Sequence, residues 1–80
     1  MKSIEDIESY FKEMEKTLGV FTSLQFHYTH FQSNENEIFF IHEYFNRIED
    51  YTVSPFRVKP DGIKYWFQIE KNRIAVSVSA

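Results

Sequence analysis

The chain has 80 residues and a mass of 9.7 kDa, enough for one hydrophobic core and too little for a second domain beside it. Hydrophobic residues make up 42% of the chain, and nine Phe, five Tyr and one Trp bring the aromatic share to 19%. There are only two Gly and two Pro. This composition excludes a disordered or low-complexity protein and predicts one folded domain over residues 1–80.

Charge and cysteine content narrow the class of protein further. The formal net charge of −3 argues against a dedicated DNA-binding protein. With no cysteine, the chain has neither a disulfide scaffold nor a thiolate metal site. The first residues of the chain are acidic, so we expect no signal peptide. The apolar runs are too short to span a membrane, so we expect no membrane contact. We therefore expect a cytoplasmic protein.

The two parts of the chain carry opposite charge. Residues 1–50 hold four Lys or Arg and ten Asp or Glu, a net charge of −6. Residues 51–80 hold five Lys or Arg and two Asp or Glu, a net charge of +3. Such an asymmetry can pair two subunits or attract a charged partner, and it also arises by chance in a short chain.

Apolar residues at helical spacing predict an N-terminal helix over residues 4–18. They follow at intervals of three and four residues: Ile4, Ile7, Phe11, Met14 and Leu18. Ser3 can cap the start of this helix, and Gly19 is a natural end. Packing of the apolar stripe on a sheet is favoured over a coiled coil, because coiled coils need longer runs.

Two further segments predict a pair of strands. Residues 20–31 alternate between apolar and polar side chains, with Val20, Leu24, Phe26 and Tyr28 on the apolar face. Residues 37–48 are ambiguous, because their apolar side chains would also align on a helix. Since this segment is rich in aromatic and β-branched residues, we favour a strand that pairs with residues 20–31 across a polar turn.

The last 30 residues predict an antiparallel meander. The chain extends over residues 56–59 after Pro55, and Pro60-Asp-Gly62 forms a turn, since Pro presets φ and Gly permits positive φ. Apolar side chains then alternate over residues 63–70 and 74–79, on either side of a turn at residues 71–73. Together the elements predict an α+β fold, with one N-terminal helix packed on a curved, mainly antiparallel sheet of about five strands.

No pattern in the chain indicates a reaction. His27 and His30 would point to opposite faces of a strand, as would the neighbours His42 and Glu43. There is no Gly-x-Ser-x-Gly motif and no Gly-rich phosphate loop. The acidic pairs lie at a helix start and in turns, where carboxylates are normally solvated. We therefore expect no catalytic residue, no metal and no cofactor, and predict that the protein is not an enzyme.

The functional prediction comes from surplus aromatic residues. On a strand at 37–48, apolar side chains would point to both faces of the sheet, and one helix covers only one face. Exposed apolar patches mark interfaces, where Tyr, Trp and Phe are frequent anchors. We therefore predict a protein–protein interaction module of the adaptor or inhibitor type. Its partner would be another protein or a second copy, as a homodimer. The partner-binding residues would be Phe39, Phe40, Tyr44, Phe45 and Trp66.

A helix at 37–48 would bury part of this surplus and weaken the prediction of an interface. Compact, mildly acidic chains without cysteine are common among inhibitors that bacteriophages and mobile elements direct at host machinery. That analogy concerns size and composition and has no matched residues behind it.

Binding of single-stranded nucleic acid is the alternative function. Arg57, Lys59, Lys64 and Trp66 fall on two neighbouring strands of the predicted meander, and Lys64 and Trp66 share a face. Cations and an outward aromatic ring on a sheet can hold phosphates and stack bases. The chain lacks the aromatic signature of ribonucleoprotein domains, and the same cations would equally serve to solvate an open sheet face.

Overall fold

A computed structural model of the chain describes residues 1–20, 26–58, 60 and 64–80, with the backbone alone for residues 18–20. The elements in chain order are α1 (Lys2–Val20), β1 (His27–Gln32), α2 (Ile38–Asn46), β2 (Thr52–Val53), β3 (Arg57–Val58), β4 (Tyr65–Lys71) and β5 (Ile74–Ser79). The predicted α+β class is confirmed: an N-terminal helix accompanies an open, mostly antiparallel sheet of five strands.

The sheet is built around the hairpin of β4 and β5. These strands pair antiparallel, and the turn between them contains Asn72 at φ 57°. Asn is one of the few residues other than Gly that tolerate this left-handed conformation. Strand β1 lies parallel to β5 on its other side, while β2 and β3 pair one after the other with the free side of β4. Strand β5 is therefore hydrogen-bonded on both sides.

Both helices pack on the same face of this sheet. Strands β4 and β5 contribute Phe67, Ile69, Ile74, Val76 and Val78 to one buried cluster. The stripe of α1 adds Ile7 and Phe11, as predicted, and α2 adds Ile38, Ile41 and Phe45. The ring of Tyr51 joins the two helices, with its centroid 5.0 Å from those of Phe11 and Phe45. Among the described residues, no helix covers the opposite face of the sheet.

The prediction of a strand at 37–48 was wrong, since most of this segment is helix α2. The Asn34 side-chain oxygen accepts hydrogen bonds from the backbone N–H groups of Asn36 and Glu37, both at 2.9 Å, which turns the chain into the helix. Helical spacing then buries Ile38, Ile41 and Phe45 together against the sheet. The intrinsic preference of aromatic and β-branched residues for strands is weaker than this burial of three large side chains.

The prediction for residues 20–31 was also wrong in its partner strand and in its buried face. Val20 belongs to α1, residues 21–25 lie outside the described part of the chain, and β1 pairs with β5. Phe31 lies beside Val78 in the register, so the odd-numbered side chains of β1 face the helices. Tyr28 consequently lies on the open face, and both Tyr28 and Phe26, the residue before β1, are exposed.

The C-terminal meander agrees with the prediction where it can be compared. Phe67 and Ile69 face the core, while Trp66, Gln68 and Glu70 alternate with them on the other face. Strands β2 and β3 complete the sheet as two-residue strands. Asp61, Gly62 and Ile63 lie outside the described residues, and the predicted turn at 60–62 with them.

Replacing Phe45 with Ala should lower the free energy of unfolding by about 3–5 kcal/mol, because it opens a cavity between α1, α2 and the sheet. Phe40→Ala, on the exposed side of the same helix, is the matched control and should change it by less than about 1 kcal/mol. Urea unfolding followed by the fluorescence of Trp66 measures both. Equal losses at the two positions would contradict a helix with one buried side.

Candidate functional site

Helix α2 presents to solvent a second side that is also aromatic. Phe39, Phe40 and Tyr44 are 51%, 61% and 37% exposed, whereas Phe45 of the same helix is fully buried. The Phe39 ring lies 5.8 Å from that of Tyr65, which pairs with Val58 in the sheet. Tyr65 and Val58 are exposed as well. We call these five side chains the α2 patch: Phe39, Phe40, Tyr44, Val58 and Tyr65.

One end of the α2 patch rests on a rigid support. The ring of Phe56 lies 5.0 Å from Phe39 and 5.3 Å from Phe67 in the core. His42 stacks on Phe56 at 4.3 Å, and its Nε2–H donates a 3.0 Å hydrogen bond to the Ser54 carbonyl oxygen. These contacts connect Phe39 to the core through the ring of Phe56.

The other end of the α2 patch is tied to α1. The hydroxyl of Tyr44 donates a 3.1 Å hydrogen bond to the Glu8 carboxylate, and Ser3 donates one of 3.0 Å to Glu37. The hydrogen bond to Glu8 is the main reason that the pKa of the Tyr44 phenol is raised above its ordinary value of 10.0. The carboxylates of Glu8 and Glu37 give this end of the patch an acidic border, whereas Glu43 is paired with Arg47 at 2.6 Å.

The residues predicted to bind a partner do not form one surface. Phe39, Phe40 and Tyr44 lie together on α2, as components of a helix rather than of a sheet face. Phe45 is core and is not available to a partner. Trp66 lies on the face of the sheet opposite the helices.

Val58 and Tyr65 were missing from the sequence-based prediction. The spacing along the chain gives no sign that the start of β4 lies beside α2. Only the folded arrangement brings Tyr65 to Phe39 and pairs Val58 with Tyr65.

Two of the residues predicted to contact nucleic acid, Arg57 and Trp66, lie on the open face of the sheet. The guanidinium of Arg57 lies 5.5 Å from the centre of the Trp66 ring. Lys64 is exposed directly before β4, and Lys59 lies outside the described residues. A shallow depression of about 180 Å³ adjoins Arg57 and is also lined by Thr52, Ser54, Gln68 and Glu70. Its one carboxylate and its openness make it a poor site for an anionic ligand.

One Ser–His arrangement on the open sheet face resembles a nucleophile with its base. Ser79 Oγ lies 3.0 Å from His30 Nε2, and Ser77 Oγ lies 3.4 Å from His30 Nδ1. The Ser79 side chain is fully buried and Ser77 nearly so, so no substrate can reach either hydroxyl. These contacts instead provide hydrogen-bond partners for the buried hydroxyl groups of Ser77 and Ser79, and they hold the His30 side chain against the sheet.

Comparison with protein-family models, with curated proteins and with solved structures found no match. In the described ranges, no helix has the length and apolar character needed to cross a membrane. The same ranges hold no group of three or more His, Cys, Asp or Glu side chains arranged to bind a metal. Function must therefore be inferred from the surfaces of this chain alone.

Replacing Glu8 with Ala should lower the pKa of Tyr44 towards 10.0, because it removes both the acceptor of the phenol hydrogen bond and the nearby negative charge. Glu13→Ala on the same helix is the control and should leave this pKa unchanged. Titration of the Tyr44 ring carbon signals by NMR measures it. An unchanged pKa in Glu8→Ala would show that Tyr44 is not tied to α1.

Proposed function

We propose that the protein is a non-catalytic protein–protein interaction module, of the adaptor or inhibitor type, that binds its partner through the α2 patch. The observation that carries this proposal is the set of three exposed rings on α2, of which Phe39 also contacts Tyr65 of the β3–β4 pair. An exposed apolar surface of this kind costs free energy in water and is typical of interfaces. The absence of cysteine is consistent with action in the cytoplasm.

The composition of the patch indicates the chemistry of its partner. Phe39 and Phe40 are the rings best placed to enter an apolar groove, since both are more than half exposed. Glu8 and Glu37 border the patch with negative charge, whereas the Glu43 carboxylate is paired with Arg47. A partner with an apolar groove and a basic rim would match both features.

Replacing Phe40 with Lys should weaken partner binding by at least about 30-fold, as expected when an interface anchor is lost. Thr52→Lys is the control, because Thr52 is exposed on β2 and pairs with Glu70 on the open face of the sheet, away from both the patch and β1. Wild type and both variants are immobilised and exposed to lysate, and each retained protein is titrated by calorimetry. Circular dichroism confirms that both variants are folded.

The proposal requires one protein that wild type and Thr52→Lys retain in stoichiometric amount and that Phe40→Lys loses. Retention of the same proteins by Phe40→Lys with unchanged affinity would contradict a role for the α2 patch.

Binding of single-stranded nucleic acid is the second candidate, favoured by the pairing of Arg57 with Trp66 on the open sheet face. An oligonucleotide that stacks on Trp66 should quench its fluorescence at low salt, and the affinity should fall as salt is added. Arg57→Ala should weaken this binding, with Arg47→Ala as the control because Arg47 is the C-terminal cap of α2. Unchanged fluorescence over the whole titration would exclude this candidate.

A further inference from the structure

Strand β1 ends the sheet on one side and directs unpaired backbone groups outward. The N–H of His27 donates to the Arg73 carbonyl oxygen at 2.9 Å, and the N–H of Ser33 donates to that of Ser79 at 2.7 Å. Because backbone groups alternate between the two sides of a strand, Tyr28, His30 and Gln32 point theirs away from β5. No strand in the described part of the chain pairs with that side of β1.

The two edges of the sheet differ in how they resist pairing with another strand. The edge formed by β2 and β3 consists of two strands of two residues each, with Pro55 between them. Short strands and proline are common protections of an edge. Strand β1 pairs with β5 over six consecutive residues without a bulge and contains neither proline nor a Lys, Arg, Asp or Glu side chain. It therefore lacks these protections.

The side chains of β1 leave this edge accessible. Phe26 and Tyr28 are 65% and 62% exposed, the highest values among the large apolar side chains of the described residues. The side chains of His30 and Gln32 are directed towards β5 instead, because both form hydrogen bonds with the Ser79 hydroxyl. The outward backbone groups thus lie beside two exposed rings and are not covered by the longer polar side chains.

We propose that β1 forms the interface of a homodimer, in which the β1 strands of two copies pair antiparallel across a two-fold axis and form one continuous sheet. The outward backbone groups can form a regular ladder of hydrogen bonds with another strand, and a two-fold axis places each copy's groups opposite the same groups of the other. Since β1 has no Lys, Arg, Asp or Glu, this interface brings no two of these side chains with the same charge together. The rings of Phe26 and Tyr28 then meet the outer side chains of the second copy.

This dimer interface is separate from the α2 patch. The patch includes Val58 and Tyr65 of the β3–β4 pair, at the side of the sheet opposite β1. Pairing through β1 therefore leaves both patches of the dimer free. The homodimer and the binding of a different protein can fail or succeed independently.

The experiment measures molar mass by light scattering during size-exclusion chromatography, from micromolar to millimolar protein. We expect twice 9.7 kDa for wild type and 9.7 kDa for Tyr28→Lys, which places a charge on the edge. Tyr28→Pro should also be monomeric, because it removes an outward N–H and none of the bonds to β5. Phe40→Lys is the control and should remain a dimer. Circular dichroism verifies the fold of each variant.

Amide hydrogen exchange then tests whether β1 forms the dimer interface. In the wild-type dimer the N–H groups of His30 and Gln32 should be protected, and in Tyr28→Lys both should exchange quickly while Thr29 and Phe31 stay protected by β5. A wild type that is monomeric at every concentration would overturn the proposal. So would a dimer that survives both substitutions at Tyr28, or protection of His30 and Gln32 only after a different protein is added.

Discussion

Strand β5 is the constraint on which the rest of the structure depends. It pairs with β1 and β4, and every one of its side chains is buried. On the helix side these are Ile74, Val76 and Val78, which are buried under apolar side chains of the two helices. On the other side they are Ala75, Ser77 and Ser79, small enough to be covered by side chains from the neighbouring strands. Both helices therefore pack on one face, and the other face needs no helix.

This asymmetry decides which surfaces the protein can offer. Helix α2 uses Ile38, Ile41 and Phe45 to cover the sheet, so the aromatic residues between them point to solvent. The parallel pairing of β1 with β5 leaves the outer backbone groups of β1 at an edge. A dimer joined at that edge would carry two α2 patches, and two linked sites can bind a bivalent partner far more tightly than one.

The sequence was informative where one periodicity ran without interruption. The stripe of α1 and the alternation of β4 and β5 each continue long enough to identify the element and its buried side. Helix α2 was missed because a short segment rich in Phe and Ile fits both periods, and only packing against the sheet decides between them. The partner of β1 and the contact of Tyr65 with Phe39 depend on residues far apart in the chain, which local patterns do not report.

The central claim is that α2 buries one aromatic side and exposes another to a partner. Paramagnetic relaxation enhancement of ring proton signals by a soluble probe tests it most directly, since the enhancement grows with solvent access. The account predicts strong enhancement at Phe39, Phe40 and Tyr44, and weak enhancement at Phe11, Phe45 and Phe67. Weak enhancement at Phe39 and Phe40 in the protein alone would contradict it, because these rings would then belong to the core.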